Sequence, residues 1–185
     1  MLAKPTLAVA VAMLCLVCTA QAEPDLELTL QPSTQTVDYS TPFTVDIYAR
    51  ADTAVATAYF DVTYDSDLIT ATSVSIEPIL NFFAETGSLG SGHIALVGGG
   101  NVAGFGGGPA VKIGTISFAS LDQTGTADIS LAFTQDDECA LVGGGALPEG
   151  DIGFGSTQVV VPEPASVLLL AGGLAGVMLR RRSRA

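Results

Sequence analysis

Residues 42–65 read PFTVDIYARADTAVATAYFDVTYD, and this stretch decides the fold. Phe43, Val45, Ile47 and Ala49 alternate with Thr44, Asp46, Tyr48 and Arg50. After a short polar interval, Ala58, Phe60, Val62 and Tyr64 alternate with Tyr59, Asp61 and Thr63. A period of two puts one set of side chains against a core and the other toward water. The stretch therefore predicts two strands, each with one buried face.

The same period extends outward in both directions. In VKIGTISFAS, 111–120, two sets compete: Val111, Ile113, Thr115, Ser117 and Ala119 against Lys112, Gly114, Ile116, Phe118 and Ser120. In TADISLAF, 126–133, Ile129, Leu131 and Phe133 fall in step. Further strands are expected at 26–30, 71–76, 93–97, 139–142 and 158–161. Turn-forming spacers separate them, among them Gln31-Pro32-Ser33, Tyr64-Asp65-Ser66-Asp67 and Gln123-Thr124-Gly125. Nine short strands with this punctuation predict an all-β fold, a single antiparallel β-sandwich. The segment PILNFFAE, 78–85, reads as a short helix or a packed loop. ALVGGG occurs at 95–100 and again at 140–145, each copy trailed by a GFG. The flanking strands are not echoed, so these are expected to be two strands running into glycine-rich surface loops.

The two ends have a different character. The start, MLAKPTLAVAVAMLCLVCTAQA, has Lys4, then an apolar run, then small Ala20 and Ala22 at the positions a signal peptidase reads. That is a secretory signal helix over residues 1–22, with cleavage after Ala22. A lipid-anchor reading at Cys18 is disfavoured by bulky Val17 before it. The body, 23–161, holds eighteen acidic residues against Arg50 and Lys112 alone, which leaves it sixteen charges negative. Such a field repels nucleic acid and anionic headgroups and attracts divalent cations or a basic partner. Cys139 is its single cysteine, so the body has no internal disulfide.

The end, VPEPASVLLLAGGLAGVMLRRRSRA, begins with Pro162, Glu163 and Pro164. Residues 165–179 are apolar or small, and Arg180, Arg181, Arg182 and Arg184 follow. A fifteen-residue helix spans about 22 Å, short of a bilayer core of roughly 30 Å. The arginines would stop transfer and stay cytoplasmic. This predicts a short transmembrane helix that holds the chain only transiently.

Two resemblances rest on these residues. The run from Val37 through Ile76 is similar to the first half of a cohesin domain: a strand of F-T-V-x-V type, a short loop, a strand ending aromatic-Asp, then a leucine and another strand. IGTISFASLDQTGTADISL, 113–131, resembles that family's late strand pair. The resemblance implies a nine-stranded jelly-roll sandwich. It also implies a protein-binding role, since cohesins bind dockerins, calcium-dependent helical modules, through one sheet face; related sandwiches bind carbohydrate. The tail, 162–185, resembles the PEP-CTERM sorting signal. This implies an exosortase-like processing enzyme, an intramembrane cysteine transpeptidase, with Pro162, Glu163 and Pro164 as its recognition motif. It also implies export to the envelope or beyond, often in bacteria that make exopolysaccharide.

Candidate chemistry is sparse. GGGNVAGFGGG lacks the Lys-Ser/Thr of a phosphate-binding loop, and a strand, not a helix, follows it. Asp65 and Asp67 sit two apart on a turn and either ligate calcium or shape that turn. Asp136 and Asp137 form a second acidic cluster open to the same two readings. Tyr48 and Tyr59 fall in outward sets, where they can line a binding face. His93 has no ligand-spaced partner, no paired carboxylates stand out, and there is no tryptophan. The expectation is a non-enzymatic exported protein that binds a protein module or a polysaccharide at the envelope. The alternative is a secreted accessory protein that binds or weakly hydrolyses glycans.

Overall fold

The computed structural model of the chain describes residues 24–133 and 139–163. The expected signal helix with Ala20 and Ala22, the acids Asp136 and Asp137, Pro164, the short transmembrane helix and its four arginines lie outside the described residues.

Eleven strands run in chain order: β1 Leu26–Pro32, β2 Pro42–Ala51, β3 Val55–Tyr64, β4 Ile69–Ile76, β5 Phe82–Leu89, β6 His93–Phe105, β7 Val111–Ser120, β8 Gly125–Ala132, β9 Ala140–Leu141, β10 Ile152–Phe154 and β11 Ser156–Val161. They form two sheets. One has the order β10-β1-β2-β7-β4; the other has the order β11-β8-β3-β6-β5, with β9 also on β3. The nine-strand expectation is corrected by β5 and β10. The pairing is not wholly antiparallel either, because β1 and β10 run parallel.

The alternation in the opening stretch is the alternation of burial. Phe43, Val45, Ile47 and Ala49 of β2, and Ala58, Phe60, Val62 and Tyr64 of β3, all face the core. Each large apolar side chain so buried contributes about 1.5–3 kcal/mol. Phe118 of β7 joins the layers: it stacks on Phe43 at 5.5 Å and meets Tyr64 of the other sheet edge-on at 5.3 Å. Ser120 is the buried polar side chain among the described residues; its hydroxyl donates to Asp38 O and accepts the Thr41 N–H, which pins the 38–41 loop.

The two competing sets in β7 are both right, each for part of the strand. Ile47 lies opposite Gly114 but Tyr48 lies opposite Lys112, so Ile113 is an extra residue. This β-bulge lets Ile113 and Gly114 both face inward, and the buried set then continues as Ile116, Phe118 and Ser120. A second device joins the sheets at Gly155, between β10 and β11. Its N–H donates to Leu28 O of the five-stranded sheet at 2.7 Å, and its carbonyl accepts the Leu131 N–H of the other at 3.1 Å.

Two expectations fail around the first glycine run. Residues 82–85 form part of strand β5, neither helix nor loop, while Leu80 before it is buried. Gly98, Gly99 and Gly100 are not in a surface loop; they lie buried within β6. The cause is close approach. Gly98 has φ of 151°, and a Cβ there would sit 2.0 Å from Ala58 O. The second glycine run, 143–145, does form an exposed turn.

Candidate binding surface and sorting segment

The surface chemistry divides between the two sheets. Among the described residues, the exposed large apolar side chains are Phe82, Phe83, Leu89, Leu96, Val102, Val142 and Val160. The first three lie on β5, the next two on β6 and Val160 on β11. Val142 follows β9 directly and donates its N–H to Ala54 O. All seven thus belong to the six-stranded sheet or its margin, and none to the five-stranded sheet. Phe83, 72 % exposed, and Val102, 75 % exposed, are the most open.

Two of these residues are held in an unusual backbone state. Phe83 has φ of 50° and Leu96 has φ of 58°. Bulky side chains avoid this left-handed region, at a cost of order 1–3 kcal/mol each. Both sit at irregularities of pairing: β5 slips against β6 between Phe82 and Glu85, and β6 slips against β3 opposite 60–62. Outward side chains of β3 hold both. The Tyr59 hydroxyl donates to Phe83 O at 2.8 Å, and Asp61 Oδ1 accepts the Leu96 N–H at 2.9 Å. Asp61 Oδ2 also meets His93 Nε2 at 2.9 Å. Phe82 packs edge-on against Phe83 with ring centroids 4.2 Å apart. Bulges of this kind re-aim side chains, and here they aim apolar ones at solvent.

Beside this apolar edge the same face is polar. The Thr63 and Ser130 hydroxyls are hydrogen-bonded at 2.7 Å, and Gln158 Nε2 donates to Asp128 Oδ1 at 2.7 Å. On the other sheet, Lys112 Nζ lies 3.1 Å from Asp46 Oδ1 and 3.2 Å from Glu77 Oε1. The hydrogen bond to Asp46, then that to Glu77, raises the lysine above its usual range.

The residues singled out from sequence fare differently. Tyr48 and Tyr59 do face outward, but from different sheets, so they do not share one face. Asp65 and Asp67 share the turn after β3, where Asp65 Oδ1 accepts the Asp67 N–H at 3.0 Å and Asp65 O accepts the Ile69 N–H. Among the described residues no group of three or more His, Cys, Asp or Glu gathers as metal ligands would. Sequence reasoning missed Phe82, Phe83, Leu96 and Val102. The adjacent phenylalanines were the available signal, masked by the ambiguous reading of 78–85.

The sorting segment begins where the sandwich stops. Val161 is buried, Pro162 half-buried and Glu163 exposed. No helix among the described residues is long and apolar enough to cross a membrane.

Set against known proteins, the sandwich and the tail each find their class. Residues 160–182 match the PEP-CTERM protein-sorting motif. The chain carries this motif, which marks an exported protein sorted to the cell envelope. The sandwich is similar to a cohesin module of a family 33 glycoside hydrolase from Clostridium perfringens, at TM-score 0.61 and 12 % identity over 76 % of this chain and 99 % of that one. It is also similar to the sixth cohesin of scaffoldin B from Acetivibrio cellulolyticus, solved with a dockerin, at TM-score 0.57 and 14 % identity over 76 % of this chain and 100 % of that one. A cohesin from a Clostridium thermocellum cohesin–dockerin complex aligns at TM-score 0.53 and 14 % identity, over 74 % of this chain and 99 % of that one. The domain therefore has the cohesin fold. No curated protein sequence matches the chain.

Proposed function

We propose that this is an exported envelope protein whose sandwich, residues 23–161, is a non-catalytic binding module for another protein. In this reading residues 1–22 direct export. Pro162, Glu163 and Pro164 are read by an exosortase-type enzyme, with residues 165–179 and the four arginines as a transient membrane hold. The segregation of exposed apolar side chains to the six-stranded sheet carries the reading. Five of the seven, Phe82, Phe83, Leu89, Leu96 and Val102, lie on the neighbouring strands β5 and β6, and clustered exposed apolar side chains mark interaction sites. The Phe82–Phe83 pair supplies the aromatic anchor that protein interfaces favour. Two structural neighbours were solved with dockerins, which supports a protein module as the partner class.

The test has two arms. Envelope proteins and a glycan array are probed with the purified protein, with Phe82→Ser/Phe83→Ser, and with Thr29→Arg/Thr44→Arg on the five-stranded sheet. A purified envelope protein that binds wild type and the second variant, but at least about tenfold more weakly the first, is expected. Binding to glycans alone, or equal loss in both variants, counts against the reading. For sorting, Pro162→Ala/Glu163→Ala/Pro164→Ala is expected to abolish surface release; release equal to wild type counts against it.

A further inference from the structure

The last strand of the sandwich and the start of the sorting motif overlap. The motif match begins at residue 160, while β11 runs Ser156–Val161. Val160 lies opposite Thr126 of β8 on one side. On the other, its N–H donates to Gln35 O and its carbonyl accepts the Val37 N–H, both at 2.9 Å. Val161 lies opposite Gly125 and is 1 % exposed, and Val159 is fully buried. Pro162 follows with no intervening residue.

Reach makes this overlap matter. An extended chain covers at most about 3.6 Å per residue, so the three residues of the motif reach no more than about 11 Å from Val161. Recognition of an extended segment by another protein uses its main-chain hydrogen-bonding groups, which must then be free. Pro162 and Glu163 lie outside the sandwich's ladder. Upstream, both edges of the backbone are already taken.

We propose that the folded sandwich covers the upstream part of its own sorting signal, and that processing waits on opening of the end of β11. The inference rests on the sorting reading above. The bond chemistry is the family's: a cysteine thiol adds to a peptide carbonyl, the C–N bond breaks, the acyl group stays on sulfur, and the thiol proton leaves on the amine of the departing tail. The sandwich sets how often that carbonyl is presented. β11 is suited to this role as an edge strand whose outer side, among the described residues, pairs with residues 35–37. Strand ends at sheet edges open locally without global unfolding.

The test is a pulse-chase of the full chain in cells that hold the processing system. A Gly/Ser linker of roughly eight residues between Val161 and Pro162 moves the motif clear of the ladder. It is expected to raise the processing rate by at least about fivefold, because presentation no longer needs opening. Val161→Ala is expected to change the rate in the same direction. Equal urea midpoints for the linker variant and wild type confirm that the fold is intact. A linker variant processed at the wild-type rate or slower overturns the proposal. If Pro162→Ala/Glu163→Ala/Pro164→Ala within the linker variant is processed as fast as the linker variant itself, the sorting reading fails instead, and the proposal falls with it.

Discussion

Gly98 shows how much a single position can carry. Its missing side chain lets β6 approach β3 so closely that a Cβ would lie 2.0 Å from Ala58 O and 2.8 Å from Tyr59 Cα. Both obstacles are backbone and cannot swing aside. Gly98→Ala is therefore expected to destabilise the domain by more than about 2 kcal/mol, through strain in a paired strand. Gly108 has nothing within 4 Å of the same test point, and Gly108→Ala is expected to stay within about 0.5 kcal/mol of wild type. Urea melts of the two variants decide the matter; equal midpoints would contradict it. Lys112 gives a second prediction at this scale. Its ammonium is held above the usual 10.5 by Asp46 and Glu77 in the folded state. A raised folded value means stabilisation that is full below pH 10.5 and lost as pH rises through the higher folded value. Lys112→Met should thus flatten the alkaline limb of a plot of Tm against pH. An unchanged slope between pH 9 and 12 would sink this assignment.

At the scale of elements, β2, β8 and β3 from Ala58 onward were legible in the sequence because their alternation is unbroken there. β7 was half legible: its two candidate faces could be listed, but the bulge at Ile113 that switches between them depends on β2. β10 spans three residues, and its partner β1 lies more than a hundred residues away in sequence. β5 and the glycine half of β6 were not legible at all. Glycine is disfavoured in strands, and Gly98, Gly99 and Gly100 are strand residues through their pairing with β3 and β5, where close neighbours such as Ala58 O leave no room for a side chain. The candidate sites divide the same way. Pro162, Glu163 and Pro164 form a linear motif and could be read directly. The apolar edge could not, because it depends on β3 side chains gripping two residues at positive φ. That grip gives a prediction for β5. Tyr59→Phe removes the hydrogen bond to Phe83 O and is expected to cost about 0.5–1.5 kcal/mol. Phe83→Gly relieves the positive φ and removes an exposed ring. It is expected to leave stability unchanged within about 1 kcal/mol while weakening partner binding. Thermal melts run beside the binding assay check this; loss of both stability and binding in Phe83→Gly would make β5 a structural element and not a presenting one.

At the scale of the whole molecule, charge governs. Both cations of the body are already engaged, Lys112 with Asp46 and Glu77, and Arg50 near Glu27 and Asp52 at 3.8 and 3.9 Å. Against them stand eighteen carboxylates spread over 139 residues. Exposed ion pairs of this kind are each worth about 0–1 kcal/mol, so salt has little favourable attraction to screen away. It has much repulsion to screen. At 0.01 M the Debye length is about 30 Å, comparable to the domain itself; at 0.15 M it is about 8 Å. Raising sodium chloride between these limits is expected to raise Tm by a few degrees, since about 1 kcal/mol corresponds to 2–4 °C in a domain near this size. A fall in Tm would mean that the few ion pairs outweigh the repulsion. The same titration separates general screening from a calcium site at Asp65 and Asp67. Asp65 Oδ1 is already committed to the Asp67 N–H, so the turn stands without a cation. At fixed ionic strength, micromolar calcium is expected to move Tm no more than magnesium does. A saturable rise specific to calcium, abolished by Asp65→Asn/Asp67→Asn, would instead make that turn a ligand site and tie the strength of the sandwich to the ions outside the cell.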